Sequence, residues 1–310
     1  MSKSRLRRTI GMLKYKVLDC WPYKFKQMRA AKLRERFRPR AFELPQIPAP
    51  DSVKVEIHML CGKKQLDMGV WASWSILRFM SNAILYVHSD GTLQDEDYQR
   101  WRQVIPNALF ISKNEADIVV KSRIASSYPR IYNWRCNNWC GGQVIDIHLF
   151  GQSDRLISMD SDVLCFKEPI ELLKAVSNNC AVFRWNKDLR TAYSQEIEVL
   201  NAVTGIVLPE SLNAGFLLAP RFDDSFWEHL EKALAVLEND SRVYPQHFWS
   251  AQTYYAICAA RCPQAQALPD SYAVTLGRTS DDTVVRHYVG IPLIRHRYFT
   301  EGIPRLLRYQ

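Results

Sequence analysis

Long hydrophobic runs are missing from this chain of 310 residues. No stretch approaches the ~18 consecutive apolar residues of a membrane-spanning helix, so no span is expected. Cys-x-x-Cys pairs are absent too. Cys136/Cys140 and Cys258/Cys262 share a four-residue step, one helical turn, which admits a zinc site but lacks the usual knuckle spacing. A secretory leader is not recognised, because Lys and Arg interrupt the first apolar residues every few positions. The eight cysteines, at 20, 61, 136, 140, 165, 180, 258 and 262, are therefore expected to be reduced, in a protein that is cytoplasmic or peripheral on the inner face of a membrane. There is no internal repeat.

Acidic residues are scarce at one end. Residues 1–40 hold 14 Lys and Arg against Asp19 and Glu35, whereas the remaining 270 carry 27 basic and 30 acidic groups. The formal charge of +9 thus belongs to a basic N-terminal arm, and the body is mildly acidic, so nucleic acid is not an expected partner. Within the arm, Ile10, Leu13, Tyr15, Val17, Leu18, Trp21, Tyr23 and Phe25 alternate with Lys14, Lys16, Lys24, Lys26 and Arg29. Rings of this kind settle at headgroup level, and each cation near an anionic surface contributes on the order of 1 kcal/mol. Residues 1–40 are therefore expected at an anionic membrane surface, with a solvated tail or a helix docked on the body as the alternatives. Pro39, Pro45, Pro48 and Pro50 mark a linker, which puts arm and linker at 1–50 and a globular domain at 51–310. Hydrophobic residues at 47% and aromatic residues at 12% are ample for its core.

The stretch around which the body is organised is Arg155-Leu-Ile-Ser-Met-Asp160-Ser-Asp162-Val-Leu-Cys-Phe166. An apolar strand here runs into two carboxylates and returns at once to apolar residues. In an open α/β sheet the carboxyl ends of the strands face the ligand crevice. Asp160 and Asp162, two apart, can both reach one hard cation, and oxygen ligands suit Mg or Mn holding a diphosphate. Asp-x-Asp triplets also occur in ordinary turns, so the pair needs support from elsewhere in the chain.

Upstream, residues 53–60 alternate like a strand and end at Cys61-Gly62-Lys63-Lys64, a tight glycine turn with positive charge. A helix is expected around 68–80, a strand at 83–88, a helix at 95–104, and short strands at 108–112 and 116–121. Downstream come helices at 144–150 and 169–176, a strand at 180–184, a polar glycine turn at 211–215, and helices at 223–238 and 248–260. Strands alternating with helices give an α/β domain with a mostly parallel central sheet, whose fourth or fifth strand ends in the acidic pair.

Asp160-Ser-Asp162 at a strand end, Asn213-Ala-Gly215-Phe about fifty residues on, Gln252 in a late aromatic helix and His287-Tyr-Val-Gly290 stand in a telling order. It is the order seen in nucleotide-diphospho-sugar glycosyltransferases of the GT-A fold. Over residues 53–300 the chain resembles the group containing glycogenin and bacterial lipooligosaccharide galactosyltransferases.

That resemblance implies a single Rossmann-like GT-A domain with helices flanking the sheet. It implies transfer of a hexose from a nucleoside diphosphate donor, UDP by the likeness, to a saccharide or lipid-linked acceptor, as in polysaccharide biosynthesis. Mn2+, or Mg2+, would be held by Asp160, Asp162 and His287. Leu60, Cys61, Gly62, Lys63, Ser161 and Gly290 would bind the donor. Asn213, Ala214 and Gly215 would line the sugar and acceptor, with Trp185 beside them. Gln252, with Asn213, would serve catalysis, Gln252 occupying the place of the amide that retaining members set behind the donor sugar.

Two departures accompany the likeness. The Lys that usually follows the His-aromatic-x-Gly motif is replaced by Ile291-Pro-Leu-Ile, so Arg295 or Arg297 would have to meet the phosphate. The late helix reads Trp249-Ser-Ala-Gln252-Thr, without the acidic neighbour found in relatives, and no base for an inverting transfer is evident. Trp134, Trp139, Trp185 and Tyr288 are candidate sugar-stacking surfaces. Two other readings fit parts of the chain. One is a haloacid-dehalogenase-like phosphatase with Asp160 as nucleophile, Asp162 as acid/base and Asp281-Asp282 on Mg. The other is a lapsed nucleotide-sugar-binding scaffold held at a membrane by the arm.

Overall fold

Strand β1 (Val55–Cys61) lies in the interior of the sheet because it is buried on both faces, with Leu60 alone partly open. Its polar members Glu56 and His58 are paired with each other at 3.1 Å. Glu56 also accepts the backbone N–H groups of Gln152 and Ser153. Burial works to raise the Glu56 carboxyl, but the His58 bond and the two amides outweigh it and hold it below its ordinary range.

The computed structural model describes residues 21–177, 182–244 and 246–309. Residues 1–20 of the basic arm, and Cys180 of an expected strand, lie outside them. Helix α1 (Lys24–Phe37) comes first. After β1 follow α2 (Leu66–Leu77), β2 (Ala83–Ser89), α3 (Asp95–Arg102), β3 (Leu109–Ile111), α4 (Lys113–Ile124) and α5 (Pro129–Asn137). A π-helical turn at Gly142–Asp146 then leads to β4 (Arg155–Met159) and β5 (Val163–Cys165). The second half contains α6 (Ile170–Val176), β6 (Arg184–Lys187), α7 (Ile197–Thr204), β7 (Leu212–Pro220), α8 (Asp224–Asn239), α9 (Ser250–Ala259), β8 (Gln266–Ala267) and β9 (Val285–His287).

Seven strands form one sheet in the order β3-β2-β1-β4-β7-β6-β8. The run from β3 to β4 is parallel, β7 is antiparallel to both of its neighbours, and β8 is parallel to β6. The expected mixed α/β architecture with a mostly parallel sheet is therefore present, and the acidic pair follows its fourth strand. Helix α2 is buried along its whole length, as a helix apolar on every side must be.

Local expectations differ from the structure in four places. Residues 116–121, expected as a strand, belong to helix α4. Ser112 caps it by accepting the Glu115 N–H at 3.1 Å, and Ala116, Val120 and Ile124 form its buried stripe. The Ser-x-x-Glu signature there outweighs the β-branched residues inside it. Asn213 to Gly215, within the turn expected at 211–215, belong to β7, all nine residues of which are buried; the turn ends at Ser211, with φ of 52°. Strand β6 begins at Arg184, where the expected strand ends. Residues 39–50, expected as a linker, are packed on the body: Ala41 and Leu44 are buried, Trp74 donates to Pro45 O at 2.9 Å, and the Ile47 N–H reaches Val104 O at 2.8 Å.

Candidate functional site

The end of β4 is where distant parts of the chain meet. The Asp160 N–H donates to Gly215 O on β7 at 2.8 Å, and the Val163 N–H turns back to Asp160 O at 3.2 Å. The chain thereby leaves the main sheet and enters β5. Strand β9 pairs antiparallel with β5, setting His287 opposite Val163, and the Tyr288 N–H donates to Asp162 O at 2.9 Å. This small two-stranded sheet delivers the imidazole. His287 Nε2 lies 3.0 Å from Asp162 Oδ1 and 3.5 Å from Asp160 Oδ2.

The other ring nitrogen fixes which tautomer faces the acids. Nδ1 of His287 is 2.8 Å from Asn213 Oδ1, which also accepts the Gly215 N–H at 2.9 Å, while Asn213 Nδ2 donates to Asp188 Oδ2 at 2.8 Å. An amide oxygen has no proton to give, so Nδ1 carries the hydrogen and Nε2 is directed at the carboxylates. Gly215 makes room for this arrangement. A Cβ there would lie 2.6 Å from His287 Nδ1 and 2.7 Å from Asp160 Oδ2. Gln143 Nε2 completes the surroundings, donating to Asp160 Oδ1 at 2.6 Å and to Ala214 O at 3.2 Å.

Charge is shared unequally among these groups. Burial pushes the Asp160 carboxyl up to about 6, reinforced by Asp162 and opposed by His287 and Arg295. For Asp162 burial acts in the same sense, but the Arg295 guanidinium at 2.6 Å and His287 outweigh it and bring the carboxyl down to about 2. His287 is raised: burial would lower it, and the two carboxylates prevail. A divalent cation suits this donor set, since Asp160, Asp162 and His287 each offer a ligand atom, all within 4.8 Å of one another. They combine hard oxygens with a nitrogen whose ring is already anchored, on an edge left open by Asp160, whose side chain is 37% exposed. Among the described residues this is the one such cluster; the paired cysteines form no second one, and the six described cysteines are free.

The cluster stands in a cleft of about 1150 Å³. Of the expected donor residues, Leu60, Cys61, Gly62, Ser161, Gly290 and Arg295 line it. Lys63 does not: it turns to Asp97 at 3.6 Å, and Lys64 lines the cleft instead. Arg297 is paired with Glu301 at 2.7 Å and does not line the cleft, so of the two expected arginines Arg295 is the one beside the acid pair.

The residues expected at the sugar and in catalysis sit behind this surface. Asn213, Ala214 and Gly215 are buried on β7, where Asn213 acts on His287 from behind. Gln252 lies on α9 with both ends of its amide on backbone, Nε2 donating to Ala192 O at 2.5 Å and Oε1 3.5 Å from the Ala214 N–H. Trp185 offers no stacking surface, because it is buried beside Phe183; Trp134 and Tyr288 are buried as well. Trp139 is open at the cleft and pairs with Phe248, ring centroids 5.6 Å apart. Asp281 is fully exposed on Arg305, and neither it nor Asp282 lines the cleft, so the second acid pair that a phosphatase requires is not at Asp160.

Gln143 and Asp188 were not singled out from sequence, and helix α1 was expected there only as an alternative, docked on the body. Gly141-Gly142-Gln143 did carry a signal, since two small residues before a polar one admit the π-helical turn that aims Gln143 at Asp160, and such turns recur at functional sites. Among the described residues no helix is long and apolar enough to cross a membrane.

No protein-family profile matches the chain, and no curated protein matches it in sequence. Solved structures do. The WbbM bifunctional glycosyltransferase aligns with a TM-score of 0.50 and 16% identity over 85% of this chain and 53% of that one, so this chain spans about half of it. Mouse xyloside xylosyltransferase 1 aligns at 0.50 and 14%, over 77% of this chain and 98% of that one. The galactosyltransferase LgtC, solved with donor and acceptor sugar analogues, aligns at 0.48 and 12%, over 79% and 94%. The strand order, the direction of each strand and the first two alignments together give this chain the GT-A glycosyltransferase fold.

Proposed function

We propose that the protein is a metal-dependent glycosyltransferase that moves a hexose from a nucleoside diphosphate donor, UDP in the first instance, to a saccharide or lipid-linked acceptor. The observation that carries this reading is the convergence of Asp160, Asp162 and His287 at the edge of a large cleft in a GT-A fold. When bound, a divalent ion, Mn2+ or Mg2+, supplies neutralisation of the charge that grows on the departing diphosphate. Arg295, paired with Asp162, is a cation placed to meet the same phosphates, and Gly290 leaves its backbone accessible beside it. The bond from the anomeric carbon to the phosphate oxygen breaks, the acceptor oxygen bonds to that carbon, and its proton leaves with the nucleoside diphosphate.

Retention of configuration is part of the proposal. An inverting transfer needs a free base for the acceptor hydroxyl. Among the described residues lining the cleft, the acids beyond the metal pair are Asp146, clamped by Arg135 at 2.9 and 2.6 Å, and Asp90, which stands against Cys61 and Gly62 of the expected donor turn rather than at the acceptor. Proton NMR of the first product formed reads the anomer directly.

Attachment of residues 1–40 to an anionic membrane surface belongs to the same reading, supported by Trp21, Phe25 and Met28, exposed on one side beside Lys24 and Lys32. Sedimentation with phosphatidylglycerol vesicles, weakening as salt rises, is the expected result.

The decisive experiment is a screen of UDP, GDP and CMP sugars with and without Mn2+, run on the wild type and on Asp162→Ala. Metal-dependent donor turnover should fall at least about 100-fold in the variant, the factor given by a loss of a few kcal/mol of charge stabilisation. Unchanged turnover in a folded variant would remove the site from the mechanism.

A further inference from the structure

The N-terminal helix does more than carry charge. Gln27, Ala30, Ala31 and Arg34 of α1, at the i, i+3, i+4, i+7 spacing of one helical face, line the same cleft as Asp160, Asp162 and Arg295. We infer that this face is the wall of the nucleoside subsite, so that a segment preceding the sheet forms part of the donor site. The inference rests on the transferase reading above and adds to it which part of the chain recognises the nucleotide.

Three observations carry it. The helix is anchored on both sides of the cleft. Arg34 donates to both oxygens of the buried Asp67, at 3.0 and 2.6 Å, and to Lys64 O just beyond β1. On the C-terminal side its guanidinium lies 5.6 Å from the Phe299 ring, and the Tyr23 ring stacks on His296 at 6.1 Å. Next, the face has a fitting shape: two alanines at its centre leave room for a flat ring, while Gln27 and Arg34 at its ends offer polar groups.

Third, the rest of the cleft presents a different kind of surface. At the cleft α1 presents Gln27, Ala30, Ala31 and Arg34, the last held by Asp67, with Lys64 beside it. Away from α1 in sequence, Asn137, Asn138 and the open Trp139 ring line it, with Arg135 paired with Asp146 and Asp117. A nucleoside diphosphate sugar has its diphosphate in the middle. With that group at Arg295 and the acid pair, two uncharged ends are left to place: the base takes the alanine face beside the end of β1, and the sugar and acceptor take the exposed ring, a surface on which sugars stack.

Ala31 is exposed, so a larger side chain there enters the cleft without disturbing the core. The test measures binding of UDP and GDP, each with Mn2+, and of Mn2+ alone, by calorimetry on the full chain, for wild type, Ala31→Trp and Ala31→Ser. Ala31→Trp is expected to weaken the nucleotide that the wild type binds by at least about tenfold, with Mn2+ affinity and melting temperature unchanged and Ala31→Ser like wild type. Nucleotide affinity unaltered in Ala31→Trp, with only transfer to acceptor impaired, would overturn the inference and leave the transferase reading in place. A wild type that binds neither nucleotide would overturn both. If Ala31→Trp melts lower, Gln27→Trp, on the same face, gives the same comparison with the same two outcomes.

Discussion

Replacing Asn213 by Ala tests the site at its hinge. The side chain is almost wholly buried, and its Oδ1 accepts from His287 Nδ1 at 2.8 Å and from the Gly215 N–H at 2.9 Å. Removing the amide strands two buried N–H donors, at about 1–3 kcal/mol each where no water reaches them. It also frees the imidazole to rotate, or to put its proton on Nε2, where a ligand needs a lone pair. Loss of a partner that orients a metal-bound His typically costs 10–100-fold in metal affinity, which is ~1.4–2.7 kcal/mol.

Asn213→Ala should therefore bind Mn2+ that much more weakly when titrated without nucleotide and followed by electron paramagnetic resonance. Urea denaturation is run beside it to confirm that the variant is folded. Coupling provides the sharper comparison: in a His287→Ala background the same substitution should change Mn2+ affinity little, since the two residues act through one contact. Wild-type Mn2+ affinity in a folded Asn213→Ala protein, or full additivity of the two losses, would refute the reasoning.

Two further outcomes follow from groups elsewhere in the structure. His148 is wholly buried, stacked on Phe222 with centroids 3.4 Å apart, and neither of its ring nitrogens has a hydrogen-bond partner. Burial sets its proton affinity well below the ordinary value of 6.5. Below that pH the unfolded chain takes up a proton that the folded one refuses, so this residue's contribution to stability is lost as pH falls from 6.5 toward the depressed folded value. Relative to wild type, His148→Leu should gain about 1.4 kcal/mol per pH unit through that window, as read from urea curves at several pH values; parallel pH profiles would contradict the assignment. Trp139→Ala, which removes the open ring at the cleft, should raise the acceptor KM several-fold while UDP affinity stays within about twofold, because stacking on one ring is worth on the order of 1 kcal/mol.

Much of the scaffold could be read locally. The strand before Asp160 declares itself through Leu156, Ile157 and Met159, β1 through its alternation and β2 through its run from Ala83 to Val87, because strands inside a parallel sheet are mostly apolar and a polar member such as Glu56 or His58 must be paired. Helix α4 was legible in principle from its Ser-x-x-Glu cap but is masked by the β-branched residues inside it. Strand β7 was misread at its start because Asn213 and Gly215 are unusual in a strand. They are there because Gly215 must leave space for His287 and Asn213 must hold the ring.

From the sequence alone, the alternation of strands and helices pointed to the fold class and the Asp-x-Asp spacing to a cation site, while the order of motifs, through its resemblance to GT-A glycosyltransferases, joined His287 to the two acids. Only the tertiary structure decided how those groups meet. The pairing of β9 with β5 turns His287 toward Asp162, the π-helical turn places Gln143 on Asp160, and α1 folds back to wall the cleft. Each of these joins residues far apart in sequence, and such contacts depend on register and packing that no local pattern encodes.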